Sequence, residues 1–347
     1  MDSINTLGGF NKNICLLSGN SHTNLANRIS TILGIELGDC SIKDFSNTEI
    51  KIDINENIRN KHVFIIETGT FGYYGKKSVN DFFMETLIII DACRRSNPQS
   101  INLILPCYPY ARQDKKEESR EPITAKLIAN LLTVAGINRL LVLDLHSPQI
   151  QGFFDIPVDN LYSLNLVIDY FQSTLFKNKS RETIQNEYII IAPDAGATKR
   201  TLKFAKILKL NTLIMHKQRN YAKVNCVEEI MIIGDTECLK NKTAIILDDM
   251  CDTGGTLIKA CNTLASNGAS EVIAVVTHGI FSGEALKQIN ECSALKQIIV
   301  SNSIPQKYNQ EHCSKLKIFH IEHLIAEAIQ KLITSGSLAD LFIPLQM

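Results

Sequence analysis

The sequence predicts an α/β protein of two domains, each a largely parallel sheet flanked by helices. Three observations carry that reading. Short β-branched apolar runs recur along the chain, longer amphipathic stretches separate them, and 347 residues exceed what one core commonly holds. The runs are "NICLLSG", "HVFIIETG", "INLILPC", "RLLVLDLH", "EYIIIAPD", "NTLIMHK", "TAIILDDM" and "EVIAVVTHG". They are continuously apolar rather than alternating, as strands covered on both faces must be.

Taken in order, the N-terminus "MDSINTLGGFNKN" has neither an apolar signal core nor an Arg-rich amphipathic pattern. No apolar run approaches the roughly 20 residues of a membrane span. Lys plus Arg and Asp plus Glu both number 36, so no global charge favours nucleic acid or an anionic membrane. The expectation is a cytoplasmic protein with neither partner. Ten cysteines are scattered, and Cys15, Cys226, Cys251 and Cys261, in or beside apolar runs, read as reduced thiols. A helix is expected from Asn80 to Ser96 with Phe83, Leu87, Ile90, Ala92 and Cys93 on one face, and Pro122 falls in the first turn of another, "ITAKLIANLL". "TFGYYGKKS" (Thr70 to Ser78) and "FKNKSRETIQNE" read as surface loops. "DIPVDNLYS" (Asp155 to Ser163) is the expected crossing between domains, dividing 13–161 from 162–325 and leaving 326–347 as a C-terminal helix and tail packed back on the first domain.

The chemistry gathers where strands end, because ligands of open α/β sheets lie outside the strands' carboxyl ends. "TAIILDDMCDTGGTLIKA" (Thr243 to Ala260) runs from a strand through three acids into a glycine and hydroxyl turn and a helix. Thr253, Gly254, Gly255 and Thr256 suit a phosphate, since backbone N–H groups and the helix dipole point at the anion. Asp248 and Asp249 would repel phosphate but accept hydrogen bonds from neutral hydroxyls. A sugar phosphate satisfies both. A bare strand-to-helix turn capped by Asp252 and Thr253 is the alternative.

"RQDKKEESRE" packs eight charges into ten residues and on its own reads as a solvated loop, yet Arg112, Gln113, Lys115 and Lys116 follow a strand directly, where a triphosphate could meet them. "DLH", with Asp144 and His146, then Asp155 and Asp159, offers carboxylates and an imidazole to a divalent ion; Mg²⁺ prefers oxygen, so an imidazole ligand is unexpected on chemistry alone. Lys217 and Arg219 stand two apart after an apolar strand, so both can project from one side of an extended segment. An exposed basic loop is the plain alternative.

Together with "FSNTEIKIDINENIR" (Phe45 to Arg59), "PYARQDKKEESREPITAKLIANLL", "LDLHSPQIQGFFDIPVDNLYS" and "APDAGATKR", the Asp-Asp and Thr-Gly-Gly-Thr run resembles the ribose-phosphate diphosphokinases, or PRPP synthases, of the type I phosphoribosyltransferase fold. The resemblance spans about Ile14 to Phe342. It implies two phosphoribosyltransferase-like domains and transfer of the β,γ-diphosphoryl group of Mg-ATP to the C1 hydroxyl of D-ribose 5-phosphate, giving PRPP and AMP. It assigns Phe45, Asn47, Glu49, Arg112, Gln113 and Glu117 to ATP, with Phe45, Asn47 and Glu49 on a hairpin reaching a neighbouring subunit. Phe45 by itself reads equally as a core aromatic.

The same resemblance assigns Asp194, Asp248, Asp249, Asp252, Thr253, Gly254, Gly255 and Thr256 to ribose 5-phosphate, and Asp144, His146, Asp155, Asp159 and Asp194 to Mg²⁺, His146 directly or through water. Lys217 and Arg219 become the catalytic pair of a mobile loop, and Arg59, Arg120 and Ser337 regulatory residues. It implies a homo-oligomer with shared sites, built on dimers as a hexamer. Two departures stand out: "TFGYYGKKSV" is long for its place, and Ala339 replaces a second Ser. A transferase that consumes PRPP and a non-catalytic regulatory subunit are the rival readings; the ATP-side stretches speak against the first, and intact motifs against the second.

Overall fold

The computed structural model describes residues 13–72, 77–219 and 228–342. Among these, residues 13–163, 303–305 and 320–342 form one compact unit, and 164–302 with 306–319 form another.

The first unit is built on a five-stranded, all-parallel sheet in the order β1-β4-β5-β6-β7: β1 (Ile14–Ser18), β4 (His62–Ile66), β5 (Ser100–Ile104), β6 (Arg139–Leu143) and β7 (Val158–Leu161). Leu16, Leu17, Ile65, Leu103, Leu140 and Leu141 are sealed from water, which is why these runs carry no polar alternation. A separate antiparallel hairpin, β2 (Cys40–Asp44) and β3 (Ile50–Ile54), lays Cys40, Ile42, Ile52 and Ile54 against the same core. Helices α1 (Thr23–Leu33), α2 (Val79–Arg95) and α3 (Thr124–Ala135) complete the βα units. The chain returns late: α10 (Glu322–Ile333) packs on α1, with Arg28 Nη1 2.8 Å from Glu322 Oε1.

The second unit holds a seven-stranded sheet in the order β10-β9-β8-β11-β12-β13-β14. Its strands are β8 (Tyr188–Ala192), β9 (Thr212–Arg219), β10 (Glu228–Ile233), β11 (Thr243–Cys251), β12 (Glu271–Gly279), β13 (Leu295–Ser301) and β14 (Leu316–Phe319). All neighbours run parallel except the edge pair β9 and β10. Around it lie α4 (Leu164–Ser173), α5 (Arg181–Glu187), α6 (Thr198–Leu208), α7 (Gly255–Ser266), α8 (Ala285–Glu291) and α9 (Lys307–His312). No helix among the described residues is long and apolar enough to cross a membrane.

Several expectations shift by local chemistry. "FKNKSRETIQNE" is not all loop: α5 forms inside it because Ser180 Oγ accepts the Thr183 amide and Glu182 stands in the first turn. Pro122 lies just outside its helix, since α3 starts at Thr124, where the Ala125 N–H is taken by the Gln113 carbonyl. The buried face of α2 is Phe82, Glu85, Thr86, Ile89, Ile90 and Cys93, with Phe83 and Leu87 half-buried beside it; a Ser78–Asp81 capping box starts that helix at Val79. The chain leaves the first unit after Ser163, re-enters it at 303–305, and returns to it from residue 320, just ahead of α10. Cys15, Cys251 and Cys261 are buried and joined in no disulfide; Cys226 and residues 73–76 of the Thr70 to Ser78 segment lie outside the described residues.

Candidate active site

In the second unit, the carboxyl end of β11 delivers Asp248 and Asp249 into the turn that starts α7. Asp249 is buried, and its N–H donates to Asp248 Oδ1 at 2.8 Å. Loss of water, then the adjacent Asp249 charge, holds the Asp248 carboxyl well above the usual range, and Asp194 adds to the push. Two carboxyls so close favour partners that donate hydrogen bonds or bring positive charge. Asp194, exposed after β8, accepts the Ala197 N–H at 2.8 Å and so organises the start of α6.

The turn itself is shaped for an anion. Gly254 takes φ 78°, a left-handed conformation that favours glycine, and caps α7 with no side-chain hydrogen bond. The first turn of this 12-residue helix therefore begins at a residue that brings no side-chain oxygen of its own. A Cβ placed on Gly255 would meet nothing within 4 Å, so that space is open. Thr253 and Thr256 are exposed on either side. The N-cap position falls to Gly254; the Asp252 side chain accepts from Ser282 Oγ, and its carbonyl accepts the Ser282 N–H at 3.1 Å. Ser282 was not singled out from sequence, although "THGIFSG" places it just past the end of β12, the signal that could have found it.

Lys217 and Arg219 lie within strand rather than beyond it: β9 continues through Arg219, whose backbone pairs with Glu228 of β10, while Lys217 pairs with Ile230. Antiparallel pairing with β10 extends the strand past its apolar run. Residues 220–227, the remainder of the expected loop, lie outside the described residues.

In the first unit the hairpin exists, with Phe45, Asn47 and Glu49 at its tip. Phe45 N–H donates to the Glu49 carbonyl at 2.7 Å, Thr48 N–H to the Phe45 carbonyl at 2.9 Å, and Glu49 N–H to Asn47 Oδ1 at 3.2 Å. Phe45 is 52% exposed, so it is no core aromatic within this chain. Arg112, Gln113, Glu117 and Arg120 sit on the exposed loop before α3. Gln113 fixes the base of that loop through its backbone carbonyl and through Oε1, which accepts from Thr124 Oγ1. The Lys115 and Glu117 side chains pair at 3.4 Å, and Glu121 accepts the N–H groups of Glu117 and Glu118, which draws its carboxyl below the usual range.

The expected metal set does not assemble as a unit. Asp144, in a left-handed conformation at φ 43° after β6, accepts from Ser163 Oγ and the Ser163 N–H. Asp159 pairs with Arg139 between neighbouring strands, and Asp155 and His146 are exposed. Among the described residues no three His, Cys, Asp or Glu side chains lie together as a metal ion would need. Of the residues expected to be regulatory, Arg59 is exposed after β3, Arg120 takes φ 71°, and Ser337 Oγ accepts the Ala339 N–H ahead of a short 3₁₀ turn.

Comparison with known proteins follows the same outline. Residues 14–136 match the N-terminal domain of ribose phosphate pyrophosphokinase, and residues 226–343 match the phosphoribosyl synthetase-associated domain. The chain is 44% identical over 329 residues to ribose-phosphate pyrophosphokinase 2 of Schizosaccharomyces pombe, covering 95% of this chain and 97% of that one. It is also similar to the crystal structure of phosphoribosylpyrophosphate synthetase from Mycobacterium smegmatis, with TM-score 0.82 and 34% identity over 93% of this chain and all of that one. Two family matches and a near full-length relative agree with the site's layout, and the chain belongs to the ribose-phosphate pyrophosphokinase, or PRPP synthetase, family.

Proposed function

We propose that this chain transfers the β,γ-diphosphoryl group of Mg-ATP to ribose 5-phosphate, forming PRPP and AMP. The observation that carries this reading is the end of β11, where two crowded acids precede an uncapped, glycine-opened helix start. A phosphate on the α7 N-terminus and ribose hydroxyls on Asp248 and Asp249 answer both halves of that arrangement. The anomeric oxygen then attacks the β-phosphorus; the O–Pβ bond forms as the bond from Pβ to the α,β-bridging oxygen breaks, AMP leaves, and the hydroxyl proton passes to solvent. Lys217, Arg219 and Arg112 are assigned to the phosphates, whose charge shifts during transfer.

Mg²⁺ belongs with the nucleotide in this reading. It commonly binds through one or two protein groups and several waters together with substrate phosphates, so the lack of a ready three-ligand cluster among the described residues fits it. The exposed Asp194 and His146 are the residues we assign to it, and Asp144, Asp155 and Asp159 support them. When bound, the ion supplies charge neutralisation and alignment of the phosphates. Phe45, Asn47, Glu49, Gln113 and Glu117 are assigned to ATP, in a dimer-based hexamer of cytoplasmic chains whose sites are shared, and Arg59, Arg120 and Ser337 to its regulation. The test is formation of AMP and PRPP by the purified protein, followed by phosphorus NMR. Dependence on both ribose 5-phosphate and Mg²⁺ is expected; AMP formation indifferent to the sugar would overturn the reading.

A further inference from the structure

The segment that is unusually long between β4 and α2 ends in Lys77, and Lys77 is not a free surface cation. Its Nζ lies 3.0 Å from Asp44 Oδ1, on the last residue of β2, and 3.0 Å from Glu85 Oε2 on α2. Its side chain is only 17% exposed, and Glu85 is wholly buried. Most surface ion pairs contribute little because both side chains must be immobilised to form them. Here one end is already fixed: Glu85 Oε1 accepts the Asn20 N–H at 2.6 Å, and Oε2 accepts from Asn20 Nδ2 at 3.2 Å. Burial and then the Glu85 charge push the neighbouring Glu67 carboxyl well up, and Lys77 Nζ sits on the Glu85 side of the pair.

The other end of the clamp is the nucleotide hairpin. Asp44 immediately precedes Phe45, and Phe45 to Glu49 form a hydrogen-bonded tip continuous with the paired ends of β2 and β3. The strands are seated on the core through Cys40, Ile42, Ile52 and Ile54, but the exposed tip lies beyond that apolar contact. We propose that Lys77 is a positioning residue for the nucleotide: by joining Asp44 to the buried Glu85 it sets the pose of the Phe45 to Glu49 tip. This rests on the reading of that tip as ATP-binding.

The experiment measures kcat and both Michaelis constants for Lys77→Met, Lys77→Arg, Asp44→Asn and Phe45→Ala. A misplaced tip costs nucleotide binding alone, so Lys77→Met and Asp44→Asn should each raise the ATP constant about three- to tenfold, with kcat and the ribose 5-phosphate constant within about twofold. Lys77→Arg, which keeps the charge, should recover most of the loss, and Lys77→Met combined with Asp44→Asn should be no worse than Lys77→Met alone. Phe45→Ala separates the two layers. If it raises the ATP constant while Asp44→Asn and Lys77→Met do not, the clamp is only structural and the inference falls. If Phe45→Ala itself leaves that constant unchanged, the tip is not a nucleotide site and both readings fall. Should Lys77→Met fail to fold, Asp44→Asn decides alone, because a half-exposed surface side chain contributes little to folding: an ATP-specific rise supports the clamp, and no rise or an equal rise for both substrates overturns it.

Discussion

Each unit of this protein crowds two carboxyl groups near the carboxyl end of its sheet, and the two pairs are finished differently. Glu67, just past β4, and Glu85 of α2 are sealed by their own chain: Ser21 donates to Glu67, and Asn20 and Lys77 donate to Glu85. A Cβ on Gly19 would fall 1.3 Å from Glu67 Oε1, so the loop above is closed down to the last atom. Asp248 and Asp249, by contrast, precede a turn whose N-cap glycine brings no side chain and where a Cβ on Gly255 would meet nothing within 4 Å. Like charges brought together are costly in either place. The first pair is met from inside by Ser21, Asn20 and Lys77; the second, in the function proposed above, meets the hydroxyls of the sugar.

The largest expected effect breaks the open side. Gly255→Val places a side chain where the phosphate would lie, and its Cβ meets no protein atom within 4 Å, so kcat/KM for ribose 5-phosphate should fall about a hundredfold or more while stability shifts by less than about 1 kcal/mol. Steady-state kinetics and urea unfolding on the same preparation check both halves. On the sealed side, Glu85→Gln leaves Lys77 facing a neutral amide in a buried setting, which should cost about 2–3 kcal/mol of stability in urea melts. A loss of activity without that destabilisation would mean the sealed pair is catalytic after all.

How far the sequence reveals this contrast depends on chain locality. The open pair was legible because its parts are consecutive: strand, acids, glycine turn and helix follow within Thr243 to Ala260, and each obeys a local rule. The sealed pair was not, since Glu67 and Glu85 stand 18 positions apart and meet only when α2 packs on the sheet; in the sequence Glu85 is one of several polar residues of an amphipathic helix. The eight strand runs were legible from continuous apolarity, whereas β7, β10, β13 and β14 are short or carry polar residues, as "VDNL" and "EEIMII" do, and depend on neighbours for their pairing. The candidate metal acids mark the limit most plainly: spacing placed Asp144 and Asp159 near strand ends, but nothing in spacing shows that Ser163 and Arg139 occupy them.

Two smaller effects sharpen the comparison. Asp249→Asn removes one charge and one acceptor facing the open turn, and the Michaelis constant for ribose 5-phosphate should rise about tenfold with that for ATP nearly unchanged. Glu67→Gln should be nearly silent at low pH and become relatively stabilising as pH rises. The sign follows from its raised carboxyl: above about pH 4.3 the unfolded chain loses a proton that the native state retains, so wild-type stability falls with rising pH until Glu67 itself ionises. Gln cannot ionise and is spared that loss. Urea melts at about pH 5 and about pH 7 should therefore show the variant gaining on wild type by up to about 1.4 kcal/mol per pH unit.

The distinction between an open and a sealed acid pair is tested most directly by calorimetric titration of ribose 5-phosphate into wild type, Asp249→Asn and Glu67→Gln. Asp249→Asn should bind about tenfold more weakly, and Glu67→Gln within about twofold of wild type, because in the proposed function the β11 acids, and not Glu67, meet the sugar. Equal weakening by both variants, or unchanged affinity in Asp249→Asn, would contradict it.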